Sequence, residues 1–323
     1  MMLLSVRVLL AASLFAGCSS SESATPEGSA GAGSAGETGS AGNAAGPSMA
    51  PLTGTITLRL KAANAATMAK AFSVAGGTVY DAEVPEAFPL ALAFEEAGCQ
   101  LLKPSLPFCS EGCGGDAACV ADETCVAYPK PQNIGVLQLD GLGSAPVLME
   151  PFPPSFAYQS SSLPHPPCTE GEAVALSAEG FAVSSTCIAP LVVLNTEFLV
   201  RREQSLELTW EAPAASDQTR ILIKLDVSHH GGKKGEVDCD VPDSGSFEIP
   251  ASLVTALVDL GLAGYPTIVL TRTASASSAA EPGVKFEISS GIEREVDTGI
   301  ISCTEDAQCA GDELCNLDKL VCE

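Results

Sequence analysis

The sequence predicts a mainly β protein, built of antiparallel sandwich units with small crosslinked modules and a flexible N-terminal lead. Three observations predict it. Apolar residues from Leu52 onward recur with period two, the spacing of strands buried on one face. Of 13 cysteines, Cys18 stands alone near the N-terminus and the other twelve lie in the body, an even number. A thirteen-residue cassette also occurs twice, as CGGDAACVADETC (Cys113–Cys125) and CTEDAQCAGDELC (Cys303–Cys315). Both copies fit C-x-x-D-A-x-C-x-x-D-E-x-C.

Residues 1–17 read as a secretory signal: Arg7 precedes an apolar run from Val8 to Phe15, too short for a stable spanning helix. The run ends in LFAGC, which resembles the lipobox of bacterial lipoproteins, although Phe15 stands where Leu is usual. The resemblance implies that Cys18 is acylated, for example with palmitate, and becomes the mature N-terminus. Each buried CH₂ contributes about 0.8 kcal/mol, so two or three acyl chains anchor a protein without a transmembrane helix. Ser19 implies sorting to the outer membrane. Residues 18–50 are Gly, Ser and Ala with few bulky side chains, a composition that offers too little apolar surface to offset ordering entropy. They are expected to be a disordered tether.

The body divides, on this reading, into a β-rich domain over 51–190 that contains a Cys-rich cassette (99–125), a sandwich over 191–302, and a C-terminal cassette over 303–323. LTGTITLRLKA, IGVLQLDGL and GEAVALSAEGFAVSS alternate in the first domain. In the second, SLELTWEAP turns Leu206, Leu208 and Trp210 inward, and RILIKLDVS does the same with Ile221, Ile223, Leu225 and Val227. GSFEIP, TIVLTRT and VKFEISSGI follow, with one helix-like segment over Pro250–Leu260. Short strands separated by Pro, Gly, Ser and Asp turns make this part immunoglobulin- or fibronectin-like. Ile249–Thr271 is apolar-rich, but Asp259, Gly261, Gly264 and Pro266 break it into helix, turn and strand rather than a membrane span.

Twelve cysteines in an exported chain read as a disulfide framework. Cys303, Cys309, Cys315 and Cys322 lie so close together that they are expected to close on one another, by any of three pairings. Cys113, Cys119 and Cys125 need a fourth partner, Cys109 or Cys99. Cys168 and Cys187 flank a strand-like pair and are expected to bridge, which leaves Cys239 for the remaining upstream cysteine. The C-terminal cassette has almost no apolar content, so crosslinks there substitute for a core.

The spacing is wrong for zinc. Calcium is the alternative use of the cassettes: Asp116, Asp122 and Glu123, repeated as Asp306, Asp312 and Glu313, offer oxygen ligands in a stapled loop, yet neither copy has the EF-hand pattern. His165 sits in the proline-rich LPHPPC. His229 and His230 lie in DVSHHGGKKGEVDCD, where Asp238 or Asp240 could join them at a metal, although the glycines and lysines suit a polar hairpin loop better. No G-x-S-x-G, H-E-x-x-H or phosphate-loop motif occurs, and no catalytic residue is assigned. The formal net charge of −24 repels phosphate backbones, so nucleic acid is not an expected partner.

LTWEAP, VDCDVPDSGSFEIPASLVTALVDLG, PTIVLTR and the terminal cassette together resemble uncharacterised surface lipoproteins of large-genome predatory Gram-negative bacteria. The resemblance implies an Ig-like sandwich with short Cys-rich repeats and no known activity. The expected function is therefore a non-enzymatic, lipid-anchored outer-membrane protein on the cell surface or periplasmic face. It would have a structural or adhesion role, with the membrane and an unknown protein or surface ligand as partners. The alternatives are an accessory subunit or secreted hydrolase using acidic residues, and a calcium-dependent adhesion module.

Overall fold

The computed structural model describes residues 52–63, 68–161, 163–214, 216–230, 232–277, 283–299, 301, 303–317 and 321–322. The signal (1–17) and the tether (18–50), with Cys18, lie outside the described residues.

Strands β1 (Thr53–Lys61), β2 (Phe72–Tyr80), β3 (Leu90–Glu96) and β4 (Cys99–Pro104) precede the first cassette, whose hairpin is β5 (Ala117–Ala121) and β6 (Thr124–Ala127). Then come β7 (Leu137–Asp140), β8 (Val147–Met149), β9 (Tyr158–Gln159), β10 (Ala173–Ala178) and β11 (Phe181–Thr186). The later part carries β12 (Leu206–Thr209), β13 (Arg220–Asp226), β14 (Glu236–Pro242), β15 (Ser246–Ile249), helix α1 (Ala251–Val258), β16 (Thr267–Ser277) and β17 (Gly283–Glu295). The second cassette holds β18 (Cys315–Asn316) and β19 (Val321–Cys322).

The fold is mainly β, as expected, and layered. A nine-stranded sheet in the order β3-β4-β14-β13-β16-β17-β1-β2-β9 forms one layer. A four-stranded sheet, β11-β10-β7-β8, and the pair β12-β15 are separate. Among the described ladders all are antiparallel except β1 with β17, which run parallel with Ile56 opposite Phe286. A parallel pair needs a long crossover, and here it is almost the whole body.

Even-numbered residues of β16, and of β17 as far as Ile292, face inward, yet they serve two cores in succession. Ile268 and Leu270 join a cluster with Ile223, Val237, Leu208 and, from α1, Leu253 and Leu257. Ala274, Phe286 and Ile288 join another with Ile56 and Leu58 of β1, Leu139 of β7 and Leu176 of β10. Burying each such aliphatic or aromatic side chain contributes about 1.5–3 kcal/mol. Between the clusters, on the same face, stand Arg272 and Ser290, directly opposite each other and each only 1% exposed.

The expected division near residue 190 therefore needs correction. The covering layer does change there, from the β11-β10-β7-β8 sheet to the segment that follows. The sheet beneath does not divide, because β3 and β4 pair beside β14 and β1 pairs beside β17. All described residues fall within one compact unit. Swapped pairing of this kind joins strands that are neighbours in space and far apart in sequence, which period-two patterns do not encode.

Helix α1 matches the helix expected over Pro250–Leu260. Pro250 precedes its first turn, Leu253, Val254, Leu257 and Val258 are buried, and Gly261 at φ +82° takes the left-handed position after it. Among the described residues no helix is long and apolar enough to cross a membrane. Strand β2 needs its glycines for a packing reason. A Cβ on Gly77 would sit 2.1 Å from the Thr55 carbonyl oxygen, and one on Gly76 2.7 Å from that of Tyr158.

Candidate functional site

All twelve body cysteines are paired. Cys99–Cys239 joins β4 to β14 at directly opposed positions, across a sequence separation of 140. Cys168–Cys187 closes the β10–β11 hairpin. In both cassettes the first and third motif cysteines bond, as Cys113–Cys125 and Cys303–Cys315. The middle cysteine reaches upstream in one copy, Cys119 to Cys109, and downstream in the other, Cys309 to Cys322. The repeat is thus one crossed pair of bridges, completed from opposite ends of the chain.

The acids proposed for calcium are exposed, and several act as structural acceptors. Asp122 Oδ1 accepts a hydrogen bond from the Phe108 amide at 3.0 Å. Both carboxylate oxygens of Glu123 accept from the Ser110 amide at 3.2 Å, and Oε2 also accepts from Ser110 Oγ at 3.0 Å. In the second copy Asp306 Oδ1 accepts from the Cys315 amide at 2.8 Å. Asp116, Asp312 and Glu313 stay on the surface. Among the described residues, three ligand atoms within 4.8 Å of one another occur only at Cys109, Cys113 and Cys119 and at Cys303, Cys309 and Cys322. Those sulfurs are spent in disulfides and have no thiolate to offer. The six carboxylates do not converge.

The histidines part company with their expected partners. His165 Nδ1 lies 2.9 Å from Ser73 Oγ, pinning the proline-rich connector to β2. Asp238 and Asp240, read as the far side of a hairpin loop from His229 and His230, belong instead to β14 and point to the outer face of the sheet with Glu236. Glu236 is 2% exposed, with Lys224 Nζ 2.6 Å from its Oε2. Burial, with the neighbouring Glu236 charge, raises the Asp238 carboxyl above its usual range. Burial opposes the Lys224 ammonium, but the hydrogen bond and charge of Glu236, with Asp238 and Asp226 nearby, outweigh it and raise that group too. Asp240 pairs with Arg220 at 2.7 Å. His229 faces Glu293 of β17, its Nε2 3.5 Å from Oε1.

The best-satisfied polar constellation is buried and lies between the two cores. Asp243 is fully buried; its Oδ1 accepts from Trp210 Nε1 at 2.7 Å and its Oδ2 from Thr219 Oγ1 at 2.9 Å. Arg272 adds Nε to Oδ2 at 2.6 Å and Nη2 to Oδ1 at 3.2 Å. Its remaining donors reach the carbonyls of Ala189, Pro190 and Glu211. Ser290 Oγ accepts from the Leu191 amide at 2.9 Å. With every guanidinium donor of Arg272 and both Asp243 oxygens matched, the arrangement fixes chain crossings. The one signal in the sequence was an arginine at an inward position of TIVLTRT.

Comparison with protein-family models and with curated proteins found no match to this chain.

Proposed function

We propose that this chain is a non-enzymatic, lipid-anchored surface protein that displays its body to a partner which adds a strand to its open sheet edge. The observation that carries the reading is β3. Among the described residues it terminates the nine-stranded sheet with no strand on its outer side, and Leu92 (55% exposed) and Phe94 (40%) stand on it. Phe88, Leu106 and Phe108 are exposed in the neighbouring connections. A free edge carrying apolar side chains is a template for a further strand. The bulge between Leu92 and Phe94, with Glu95 and Glu96 at the strand end, limits indiscriminate pairing.

The anchor supports the placement. Cys18 after LFAG, a tether of small residues and twelve body cysteines without a free thiol all suit an oxidising compartment outside the cytoplasm. Protease treatment of intact cells should remove the body, and Cys18→Ser should release a soluble, unacylated form or trap the precursor. Normal membrane fractionation of that variant would refute the anchor. Photo-crosslinking from position 92 on intact cells should capture a partner that Phe94→Lys loses; equal capture by the variant would refute the edge.

A further inference from the structure

We propose that His229, His230 and Glu293 form a site for a divalent metal ion of the zinc class. His229 Nε2 and Glu293 Oε1 stand 3.5 Å apart, at the outer limit for a hydrogen bond. Zinc binds imidazole nitrogen and carboxylate oxygen at about 2.0–2.2 Å, which puts adjacent ligands of a tetrahedral ion about 3.3–3.5 Å apart. The pair therefore already has the separation of two ligands sharing one ion.

Both ligands are held by independently anchored backbone. Glu293 lies in the β16–β17 ladder opposite Val269. The His229 carbonyl accepts the Tyr265 amide at 2.8 Å, tying the loop after β13 to the start of β16. His230 supplies the third ligand. It holds a left-handed backbone at φ +61°, unusual outside glycine and found where a local arrangement requires it. That conformation keeps its ring beside that of His229, with centroids 4.0 Å apart and planes tilted by 54°. The three ligand atoms do not yet all fall within 4.8 Å, so closing the sphere takes rotation of the exposed His230 side chain. The group borders a cleft of about 550 Å³ that leaves a fourth position open to water. Lys61 and Arg294 also line it, offset by Glu295. Two imidazoles and one carboxylate suit zinc and its neighbours, whereas calcium and magnesium demand oxygen ligands.

The test uses the full chain, purified without reductant and without a polyhistidine tag, titrated with ZnCl₂ by calorimetry at about pH 7.5. One ion per chain is expected. Affinity should fall at least about tenfold in His229→Ala, His230→Ala and Glu293→Gln. Asp122→Asn should titrate like the parent, and CaCl₂ should give no matching isotherm. All three side chains are at least partly exposed, so unchanged melting temperatures without zinc verify that the variants are folded. Absence of zinc binding up to about 1 mM, the weak limit of useful affinities, would overturn the proposal. So would an isotherm that all three variants share with the parent, since zinc would then sit elsewhere.

Discussion

Asp243→Ala should be among the most damaging single substitutions in this protein. It removes the carboxylate that matches the Arg272 guanidinium, which is 1% exposed and would be left with backbone carbonyls alone. Removing one member of a buried ion pair costs about 3–5 kcal/mol, because an uncompensated charge remains. Trp210 Nε1 and Thr219 Oγ1 also lose their acceptor, each a loss of about 1–3 kcal/mol taken alone. The three effects share one network and do not add, so a loss of about 5 kcal/mol is expected against a total of roughly 5–15 kcal/mol. Arg272→Met combined with Asp243→Leu removes both charges and should recover only the share due to the uncompensated guanidinium, because Trp210 Nε1, Thr219 Oγ1 and the carbonyls of Ala189, Pro190 and Glu211 stay unmatched. Urea titration with the disulfides intact measures both. Far-UV circular dichroism follows the sheet while Trp210, the one tryptophan, reports from the network itself. If Asp243→Ala shifts stability by less than about 1 kcal/mol, or if the double variant is worse than the single, the reasoning fails.

Asp238→Asn should stabilise the protein slightly at neutral pH, by less than about 1 kcal/mol once solvent screening is allowed for, because it removes a charge held in a half-buried site beside Glu236. The sign follows from the raised carboxyl. The folded state holds its proton more tightly than the unfolded one, so native stability declines as pH rises from the unfolded value through the folded value. The gain in Asp238→Asn should therefore vanish below about pH 4, and a gain that grows in acid would contradict it. Cys99→Ala with Cys239→Ala should lower stability by about 4 kcal/mol, more than loss of the Cys168–Cys187 bridge, whose separation is 19 rather than 140. The reverse ranking in matched denaturation curves would discredit the loop-entropy account. In zinc-free protein EDTA should leave the melting temperature unchanged, while Glu123→Gln, which weakens the clasp on Ser110, should speed proteolysis within residues 109–125. A drop in melting temperature on chelation, reversed by calcium alone, would restore the calcium reading of the cassettes.

Local patterns were legible because they are written within a few residues. TIVLTRT and VKFEISSGI alternate and became β16 and β17; ASLVTALV turns one apolar face and became α1. Disulfides over short loops were legible for the same reason. Strand β14 was misread as loop because its outward residues Glu236, Asp238 and Asp240 are acidic and the histidines, glycines and lysines just before it suggest a turn. Its acids are tolerable only because Lys224 and Arg220 of β13 stand across from two of them. That pairing lies in the register, which no single strand displays. The candidate metal pair was hidden likewise: His229 looks along its own loop toward Asp238, while folding brings Glu293 from a strand more than sixty positions later.

The buried arginine ties these observations together. An inward-facing charge in a strand as apolar as β16 conflicts with its neighbours unless a matching acid exists, and that acid, Asp243, lies on the turn after β14. The pair sits where the covering layer changes from the β11-β10-β7-β8 sheet to the segment after Pro190, whose carbonyl Arg272 also binds. An apolar side chain there would leave the carbonyls of Ala189 and Pro190 without their guanidinium donors, while the Leu191 amide would keep Ser290 Oγ. The charge fixes where one covering layer stops and the next begins over a shared sheet. The domain boundary expected near residue 190 is only a change of cover over a continuous sheet, made by β1 on β17 and β4 on β14, which strand-by-strand patterns do not display.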